Sequence, residues 1–216
     1  MNDIVIYGAG GFAREVALLI EQINAEKPTW NLLGFIDDNV ENTGKILNGY
    51  SVLGDSKWIE DFDKELSVSL GIGSPRAKEK IINKIKHIDS IGFPNIIHPT
   101  VGISNTNILG EGIIICEGNI LTCNISLNNF VTINLNCTIG HDTIIDEFCT
   151  LLPNASISGG VNLNKRVDFG TNATIIQGIN VGENTIVGAG AVVVKDLPAN
   201  CTAVGMPAKP IKFHEN

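Results

Sequence analysis

Residues 133–163 read INLNCTIGHDTIIDEFCTLLPNASISGGVNL, and every sixth residue of this stretch is isoleucine or leucine. The spacing continues in both directions, so that all seventeen positions at this interval from residue 97 to residue 193 are apolar. At an apolar usage of about 45%, a chance run of this length has a probability of about one in a million. Neither a helix, with a period of 3.6, nor a strand, with a period of 2, explains it. A period of six is typical of a parallel β-helix, in which three hexads form one coil of about 18 residues.

A second position of each hexad, four residues after the aliphatic one, should also face the interior near a corner. The residues there, from Val101 to Ala191, are mostly small or β-branched, which suits a crowded lumen. Asn107 and Asn119 are exceptions. The register runs without insertion to about residue 194, so the sequence predicts between five and six coils and no long loop.

The composition excludes several classes of protein. The chain has 216 residues, of which 44% are hydrophobic and only 6% aromatic, so we expect an aliphatic core. The net charge of −8 and the lack of a long basic run argue against binding to nucleic acid, but not against a small anionic ligand. No apolar run reaches the roughly 18 residues of a membrane span, so we expect no membrane segment.

The five cysteines predict neither a disulfide framework nor a metal site. Their number is odd, none lies in a CxxC pair, and no signal peptide is apparent. We therefore expect reduced thiols in a cytoplasmic protein, most of them lining the coils.

Residues 1–95 alternate strand and helix signals. IVIYGAGG predicts a buried strand that enters a glycine turn, and FAREVALLIEQI predicts a helix. NLLGFIDD and LSVSLGIG predict two more strands, and a helix should follow with Ser74 as its N-cap and Pro75 at its first position. The sequence thus predicts an α/β domain over 1–95, with a small Rossmann-like parallel sheet, and a β-helix domain with a C-terminal cap over 96–216.

His141 is the first candidate for chemistry. It lies inside the regular coils at an outward-facing position, and the corresponding position one coil later is Gly159. An outward imidazole beside a glycine has the open space that a general base needs. Asp142 can orient His141 only if the chain bends between them, because adjacent side chains of a flat strand point to opposite faces. The alternative is an exposed histidine without a role.

The glycine turns of the first domain are the second candidate. Gly8, Gly10 and Gly11 lie between a strand and a helix, where backbone N–H groups can approach a phosphate. Asp37 and Asp38 end the next strand, where a ribose hydroxyl could be held. The segment GIGSPR at 71–76 should lie at the same edge. Ordinary tight βα turns without a ligand are the alternative. Lys195 and Lys209 are candidate phosphate partners near the end of the coils; the alternative is a pair of solvated lysines.

These motifs together resemble a known family. The unbroken hexads, IGHD at 139–142 and GMPAKP at 205–210 look like the hexapeptide-repeat acyltransferases, which fold as left-handed β-helices. GAGGFAREV, FIDD and GIGSPR narrow the resemblance to the sialic acid O-acetyltransferase family, which includes N-acetyltransferases of nucleotide-linked amino sugars. The resemblance covers essentially the whole chain.

The resemblance implies roles for particular residues. It makes His141 the catalytic base, with Asp142 and Asn134 as further catalytic positions. It implies a homotrimer with acetyl-coenzyme A in the groove between adjacent prisms. Some members have a histidine in place of Thr150 or of Phe12, and this chain differs there. The implied nucleotide-sugar positions are Gly8, Gly10, Gly11, Phe12, Asp37, Asp38, Gly73 and Ser74. The implied acetyl-CoA positions are Thr150, Gly159, Thr171 and Ala189, to which we add Lys195 and Lys209.

We therefore expect an acetyl-CoA-dependent N-acetyltransferase that acts on a nucleotide-linked 4-amino-deoxysugar, for surface polysaccharide or glycan precursor synthesis. The amine would attack the thioester directly while His141 removes a proton, and a backbone N–H near Gly159 could bind the thioester oxygen. No metal is expected. The alternatives are O-acetylation of sialic acid, a non-catalytic β-helix scaffold, and an NAD-dependent enzyme that uses the glycine turn.

Overall fold

The computed structural model describes residues 1–214 and consists of two compact units. The first contains Met1–Gly73 and Ala77–Pro99, and the second contains the rest of the described chain. The sequence places the domain boundary between residues 95 and 96, whereas the compact units divide between Pro99 and Thr100.

The first unit is an α/β sheet. Its elements in chain order are β1 (Asn2–Tyr7), α1 (Gly11–Glu26), β2 (Trp30–Ile36), a 3₁₀ helix (Val40–Asn42), β3 (Ile46–Leu47), β4 (Tyr50–Gly54), α2 (Ser56–Glu60), β5 (Leu66–Leu70), α3 (Pro75–Ile85), β6 (Ile91–Gly92) and β7 (Ile96–Ile97). Six strands form one sheet in the order β3-β4-β2-β1-β5-β6, and only the β3–β4 pair is antiparallel. The parallel order brings the carboxyl ends of β1, β2 and β5 to one edge, which is where ligands bind in such sheets.

Apolar periodicity explains both packed layers of this unit. The central strand β1 has Ile4, Val5 and Ile6 fully buried, because it is covered on both faces. Val16 and Ile20 of α1 are also fully buried, because residues four apart lie on one face of a helix, whereas Phe12 is only half-buried. The helix α3 begins at Pro75, where the sequence places its start.

The second unit is the expected left-handed parallel β-helix. Its strands in chain order are β8 (Ile108–Leu109), β9 (Ile114–Ile115), β10 (Ile120–Leu121), β11 (Ser126–Leu127), β12 (Thr132–Ile133), β13 (Thr138–Ile139), β14 (Ile144–Ile145), β15 (Thr150–Leu151), β16 (Ser156–Ile157), β17 (Asn162–Leu163), β18 (Asp168–Phe169), β19 (Thr174–Ile175), β20 (Asn180–Val181), β21 (Ile186–Val187), β22 (Val192–Val193), β23 (Cys201–Val204) and β24 (Lys209–Phe213). Each strand from β8 to β19 pairs in parallel with the strand 18 residues later, as Ile139 pairs with Ile157. The strands form three sheets, one for each face of a prism.

The apolar ladder is the core of this unit. From Ile115 to Val193 every sixth residue is at most 9% exposed, so the hexad prediction is confirmed over these coils. The prediction is wrong at the first coil, because residues 102 and 103 form no strand and Ile103 is 36% exposed. The tail forms the antiparallel pair β23–β24, and β23 continues the sheet of β21.

Asn107 and Asn119, the exceptions in the lumen pattern, replace missing backbone partners. Asn119 donates to the carbonyls of Cys116 and Asn134 and accepts the backbone N–H of Cys137 through Oδ1 at 2.9 Å. Asn107 similarly accepts the backbone N–H of Ile125. A buried amide is stable only with its hydrogen bonds satisfied, and here they are.

Each corner of the coils requires a residue with positive φ. One residue per hexad, three positions after the inward aliphatic, has φ between 56° and 78° from Gly112 to Gly190. Most of these residues are Gly or Asn, which tolerate this conformation best. The exceptions are Phe130, Asp142, Phe148 and Arg166. The two phenylalanine rings stack with their centroids 5.2 Å apart. Among residues 1–214, no helix has the length and apolar character of a membrane span.

Candidate active site

His141 and Asp142 form a hydrogen-bonded pair at a corner of the β-helix. Nδ1 of His141 lies 2.7 Å from Oδ2 of Asp142. A carboxylate only accepts hydrogen bonds, so Nδ1 carries the proton and Nε2 is left as the basic nitrogen. Both side chains are exposed, at 66% for His141 and 59% for Asp142. The pair therefore presents a base to solvent, in the orientation that proton abstraction requires.

The corner conformation explains how neighbouring residues can pair. Asp142 has a φ of 58° and occupies the left-handed position of its hexad, so the chain bends between the two residues. This bend returns the carboxylate to the side of the imidazole, which a flat strand would prevent. The condition stated for Asp142 in the sequence analysis is thus met.

Gly159 provides the surface on which the imidazole lies. A Cβ atom at Gly159 would be 2.6 Å from Nε2 and 2.7 Å from Cε1 of His141. Any side chain at this position would therefore displace the ring. The prediction that a glycine one coil later leaves room beside His141 agrees with this contact.

Asp142 is kept ionised by its hydrogen bonds. The bond from His141 is the largest cause, and the bond from Asn124 Nδ2 to Oδ1 at 3.1 Å the second, of a pKa below the ordinary value for Asp142. A charged Asp142 fixes the tautomer of the imidazole and stabilises its protonated form. Sequence reasoning missed Asn124, although it stands 18 residues before Asp142, at the same position of the preceding coil.

The residues expected to bind acetyl-CoA lie on different edges of the prism. Gly159 and Lys195 lie on the edge of His141, since each follows a strand of the sheet β10-β13-β16-β19-β22 by two residues. Thr171 and Ala189 follow strands β18 and β21 in the same way and lie on another edge. A single chain does not bring these two groups together, so their shared role in acetyl-CoA binding remains a prediction.

Asn134, Thr150 and Lys209 are not part of the His141 cluster in one chain. Asn134 is 8% exposed, and its Oδ1 accepts the N–H of Leu135 at 2.7 Å. Thr150 is 1% exposed within the sheet of β12 and β18. Lys209 is exposed on β24. The roles assigned to these three residues stay predictions.

The glycine turn of the first unit is shaped by close contacts. Gly8 has a φ of 112°, and a Cβ there would be 2.9 Å from the carbonyl oxygen of Gly71. Gly10 is the N-cap of α1 and has open space around it, and Gly11 is the first residue of the helix. A Cβ at Gly71 would be 2.6 Å from Ala13, so β5 and α1 approach closely. These are the geometric functions that glycines have in a phosphate-binding βα turn.

Asp37 and Asp38 already have partners within the chain. Oδ1 of Asp37 accepts the N–H of Asn39 at 2.9 Å, as in an Asx turn. Oδ1 of Asp38 accepts the hydroxyl of Tyr7 and the ammonium of Lys84, each at 2.8 Å. Gly73 is half-buried and Ser74 exposed beyond β5. The interpretation of the acidic pair as ribose ligands stays a prediction, with fewer free oxygens than the sequence suggested.

Tyr7 and Lys84 are polar residues at this edge that the sequence analysis did not identify. Burial and the hydrogen bond to Asp38 raise the pKa of Tyr7 above its ordinary value. Burial alone would raise the pKa of Asp38, but the hydrogen bonds from Lys84 and Tyr7 outweigh it, and the pKa is lowered. The position of Tyr7 at the last residue of β1, directly before the turn, was the signal available in the sequence.

The cysteines are free thiols, of which only Cys123 is exposed. Burial raises the pKa of the Cys137 thiol to about 11, so this residue is a packing group rather than a nucleophile. Within residues 1–214, no three metal-binding side chains converge on one point.

Two kinds of comparison link the chain to known proteins. Residues 3–85 match the family model of the PglD N-terminal domain. Among solved structures, a variant of perosamine N-acetyltransferase from Caulobacter crescentus, in complex with CoA and GDP-perosamine, is 28% identical with a TM-score of 0.86, covering 100% of this chain and 98% of that one. The acetyltransferase domain of PglB from Neisseria gonorrhoeae, in complex with acetyl coenzyme A, is 27% identical with a TM-score of 0.88. That match covers 98% of this chain and 100% of that one.

WeeI from Acinetobacter baumannii is also similar, at 27% identity and a TM-score of 0.81, covering 98% of this chain and 100% of that one. No curated protein matches this sequence. The chain thus resembles, over nearly its whole length, the hexapeptide-repeat N-acetyltransferases of nucleotide-linked amino sugars.

Proposed function

We propose that this chain, which resembles the hexapeptide-repeat sugar N-acetyltransferases, transfers an acetyl group from acetyl-CoA to the amine of a nucleotide-linked 4-amino-deoxysugar. The observation that carries this proposal is the His141–Asp142 pair, with its ring against Gly159. The similar structures contain CoA, acetyl coenzyme A and GDP-perosamine, which are substrates or products of such a reaction.

The reaction is a direct transfer. The amine nitrogen attacks the thioester carbonyl while Nε2 of His141 accepts a proton from that nitrogen. The tetrahedral intermediate collapses, the carbon–sulfur bond breaks, and the CoA sulfur leaves as a thiolate that takes up a proton. The Asp142 carboxylate stabilises the imidazolium that forms. An N–H donor near Gly159 would bind the oxyanion.

The candidate acetyl-CoA residues support a homotrimer. Gly159 and Lys195 lie on one edge of the prism, and Thr171 and Ala189 lie on another. One extended cofactor can contact both sets when the edge of one chain faces a different edge of a second chain. Threefold packing repeats this contact three times and closes the assembly. The glycine turn and the polar residues at the end of β2 bind the nucleotide of the sugar substrate in this proposal.

A thiol-release assay tests the function. Acetyl-CoA is supplied with GDP-, UDP- and dTDP-linked 4-amino-4,6-dideoxysugars, with free sialic acid in parallel, and His141→Ala is assayed beside the unaltered protein. We expect release with at least one amino sugar and a loss of at least about 100-fold in kcat in the variant. Release with sialic acid alone would move the assignment to O-acetylation. If no acceptor gives release although the ligands bind, the chain is a scaffold.

A further inference from the structure

We infer that Asn124 is a positioning residue that holds the Asp142 carboxylate in the orientation that His141 needs. The inference rests on the proposed function for its consequence in catalysis, but not for its geometry. Asn124 and Asp142 occupy the same left-handed corner position of successive coils, with φ of 57° and 58°. Their side chains therefore leave the corner in parallel, one above the other.

Each carboxylate oxygen of Asp142 accepts a hydrogen bond from a different neighbour. Nδ2 of Asn124 donates to Oδ1 at 3.1 Å, and His141 Nδ1 donates to Oδ2 at 2.7 Å. Because a carboxylate offers only acceptors, the amide must face it with its NH₂ group. Asn124 is itself anchored, since its backbone N–H donates to Oγ1 of Thr106 at 3.1 Å. A chain of bonds thus runs from Thr106 to the imidazole through three successive coils.

The exposure of the pair makes this restraint necessary. Asp142 is 59% exposed, so without Asn124 the carboxylate would exchange its contact with His141 for water. In the series of positions 18 residues apart that contains His141, the nearest charged residue is Lys195, three coils later. The corresponding position to His141 is the exposed thiol Cys123 in the coil before, Gly159 in the next coil and Gln177 in the one after.

The chain contains a matched control for this arrangement. Asn128 Nδ2 donates to Oδ1 of Asp146 at 2.8 Å, again across 18 residues, and no histidine adjoins that pair. Asn128→Ala therefore removes an equivalent hydrogen bond between successive coils, away from His141, and Asn128→Asp replaces its donor by a negative charge. Two substitutions of Asn124 suit the corner: Asn124→Gly accepts positive φ, as Gly160 does at the same position, and Asn124→Asp copies Asp142 itself.

The experiment measures kcat against pH and, in the free protein, the NMR titration midpoint of the His141 ring. Asn124→Gly loosens the carboxylate, so we expect kcat to fall about threefold to tenfold and the acidic limb of the profile to move to lower pH. Asn124→Asp adds a negative charge that favours the imidazolium, so the limb should move to higher pH by a few tenths of a unit at low salt. Asn128→Ala and Asn128→Asp should leave kcat and the limb unchanged.

A positioning role predicts that the acidic limb of the pH profile moves in opposite directions in Asn124→Gly and Asn124→Asp. A purely structural role would lower activity in both variants without these opposite shifts. Midpoints of the His141 titration that are equal in all variants would overturn the inference. The NMR titration needs no turnover, so the inference stands or falls separately from the proposed reaction. The signal of His141 is assigned by its absence in His141→Ala.

Discussion

Gly159 contributes to the site by lacking a side chain. Its backbone does not adopt a positive φ, so alanine fits the conformation, and the three atoms nearest to an added Cβ all belong to the His141 ring. A ring at the end of a rotatable side chain can move away, whereas backbone cannot. The effect of a methyl group here should therefore be confined to the imidazole.

We predict that Gly159→Ala leaves the melting temperature within about 2 °C of the unaltered protein and lowers kcat by at least about tenfold. The rotated ring loses its bond to Asp142 or its approach to the substrate amine. Melting curves and the thiol-release assay check both parts. Gly92→Ala, where a Cβ meets nothing within 4 Å, is the control. Full activity in Gly159→Ala would contradict the interpretation of Gly159 as the surface beneath the base.

The residues of the candidate site were only partly predictable. His141 and Gly159 follow from the 18-residue arithmetic of the coils, because that arithmetic depends on sequence spacing alone. The contact of Asp142 with His141 depends on a φ of 58°, for which the sequence contains a periodic signal. Gly, Asn or Asp stands three places after most of the inward aliphatics, as at Asn136, Asp142 and Asn154.

Asn119 shows that a coil needs more than its aliphatic ladder. The backbone N–H of Cys137 points into the lumen and has Asn119 Oδ1 as its acceptor. Two carbonyls, of Cys116 and Asn134, receive the amide hydrogens. Three backbone groups of two neighbouring coils thus depend on a single buried side chain.

We predict that Asn119→Val lowers the free energy of unfolding by about 1–3 kcal/mol, because it leaves a buried backbone N–H without a partner. Valine is the residue found at the equivalent inward position Val131, so its volume suits the lumen. Urea denaturation provides the measurement. The exposed corner substitution Asn154→Gly, compatible with a φ of 61°, should change stability by less than about 0.5 kcal/mol. Equal effects of the two would show that the lumen bonds contribute nothing.

The stability of the protein should also depend on pH through Asp38, which follows strand β2 of the first unit. The pKa of Asp38 is lower in the folded protein than in an unfolded chain, so its stabilising effect is complete above about pH 4. It is lost as the pH falls through the lowered folded value. We predict that the unaltered protein melts above Asp38→Asn at pH 7 and that this gap narrows below pH 4. Asp63→Asn, at an exposed position, should show no gap at either pH. A gap for Asp38→Asn that does not change with pH would contradict the assignment.

At the level of elements the sequence predicted more than at the level of residues. Strand–helix alternation and hexads depend on apolar periodicity, which burial enforces, and both appear in the structure. The prediction was wrong at the first coil because apolar periodicity does not reveal that Ile103 remains 36% exposed. The hydrogen bonds among Tyr7, Asp38 and Lys84 join residues up to 77 positions apart, and no local sequence pattern predicts such a contact.

The whole molecule should assemble into three copies. We predict a sedimenting species of about 69 kDa, three times the 23.1 kDa of one chain. Isoleucines at outward positions of the coils, such as Ile108, Ile120 and Ile144, are exposed by 46% or more in one chain and would be covered by neighbours. Sedimentation equilibrium measures the mass of the unaltered protein and of Ile144→Glu, which places a charge among these outward isoleucines. Ile46→Glu, in the first unit, is the control. A 23.1 kDa species at micromolar concentration would rule out a site shared between copies.

The coil of 18 residues also sets the steps in which this protein can change length. Removing 18 residues between His141 and Lys195 would shorten the prism by one level and keep both residues on the same edge. Removing six would leave every aliphatic facing inward, and the fold intact, but would turn everything beyond the cut to the next face. Insertions and deletions in such a lineage should therefore be tolerated for folding in multiples of six, and for catalysis only in multiples of 18.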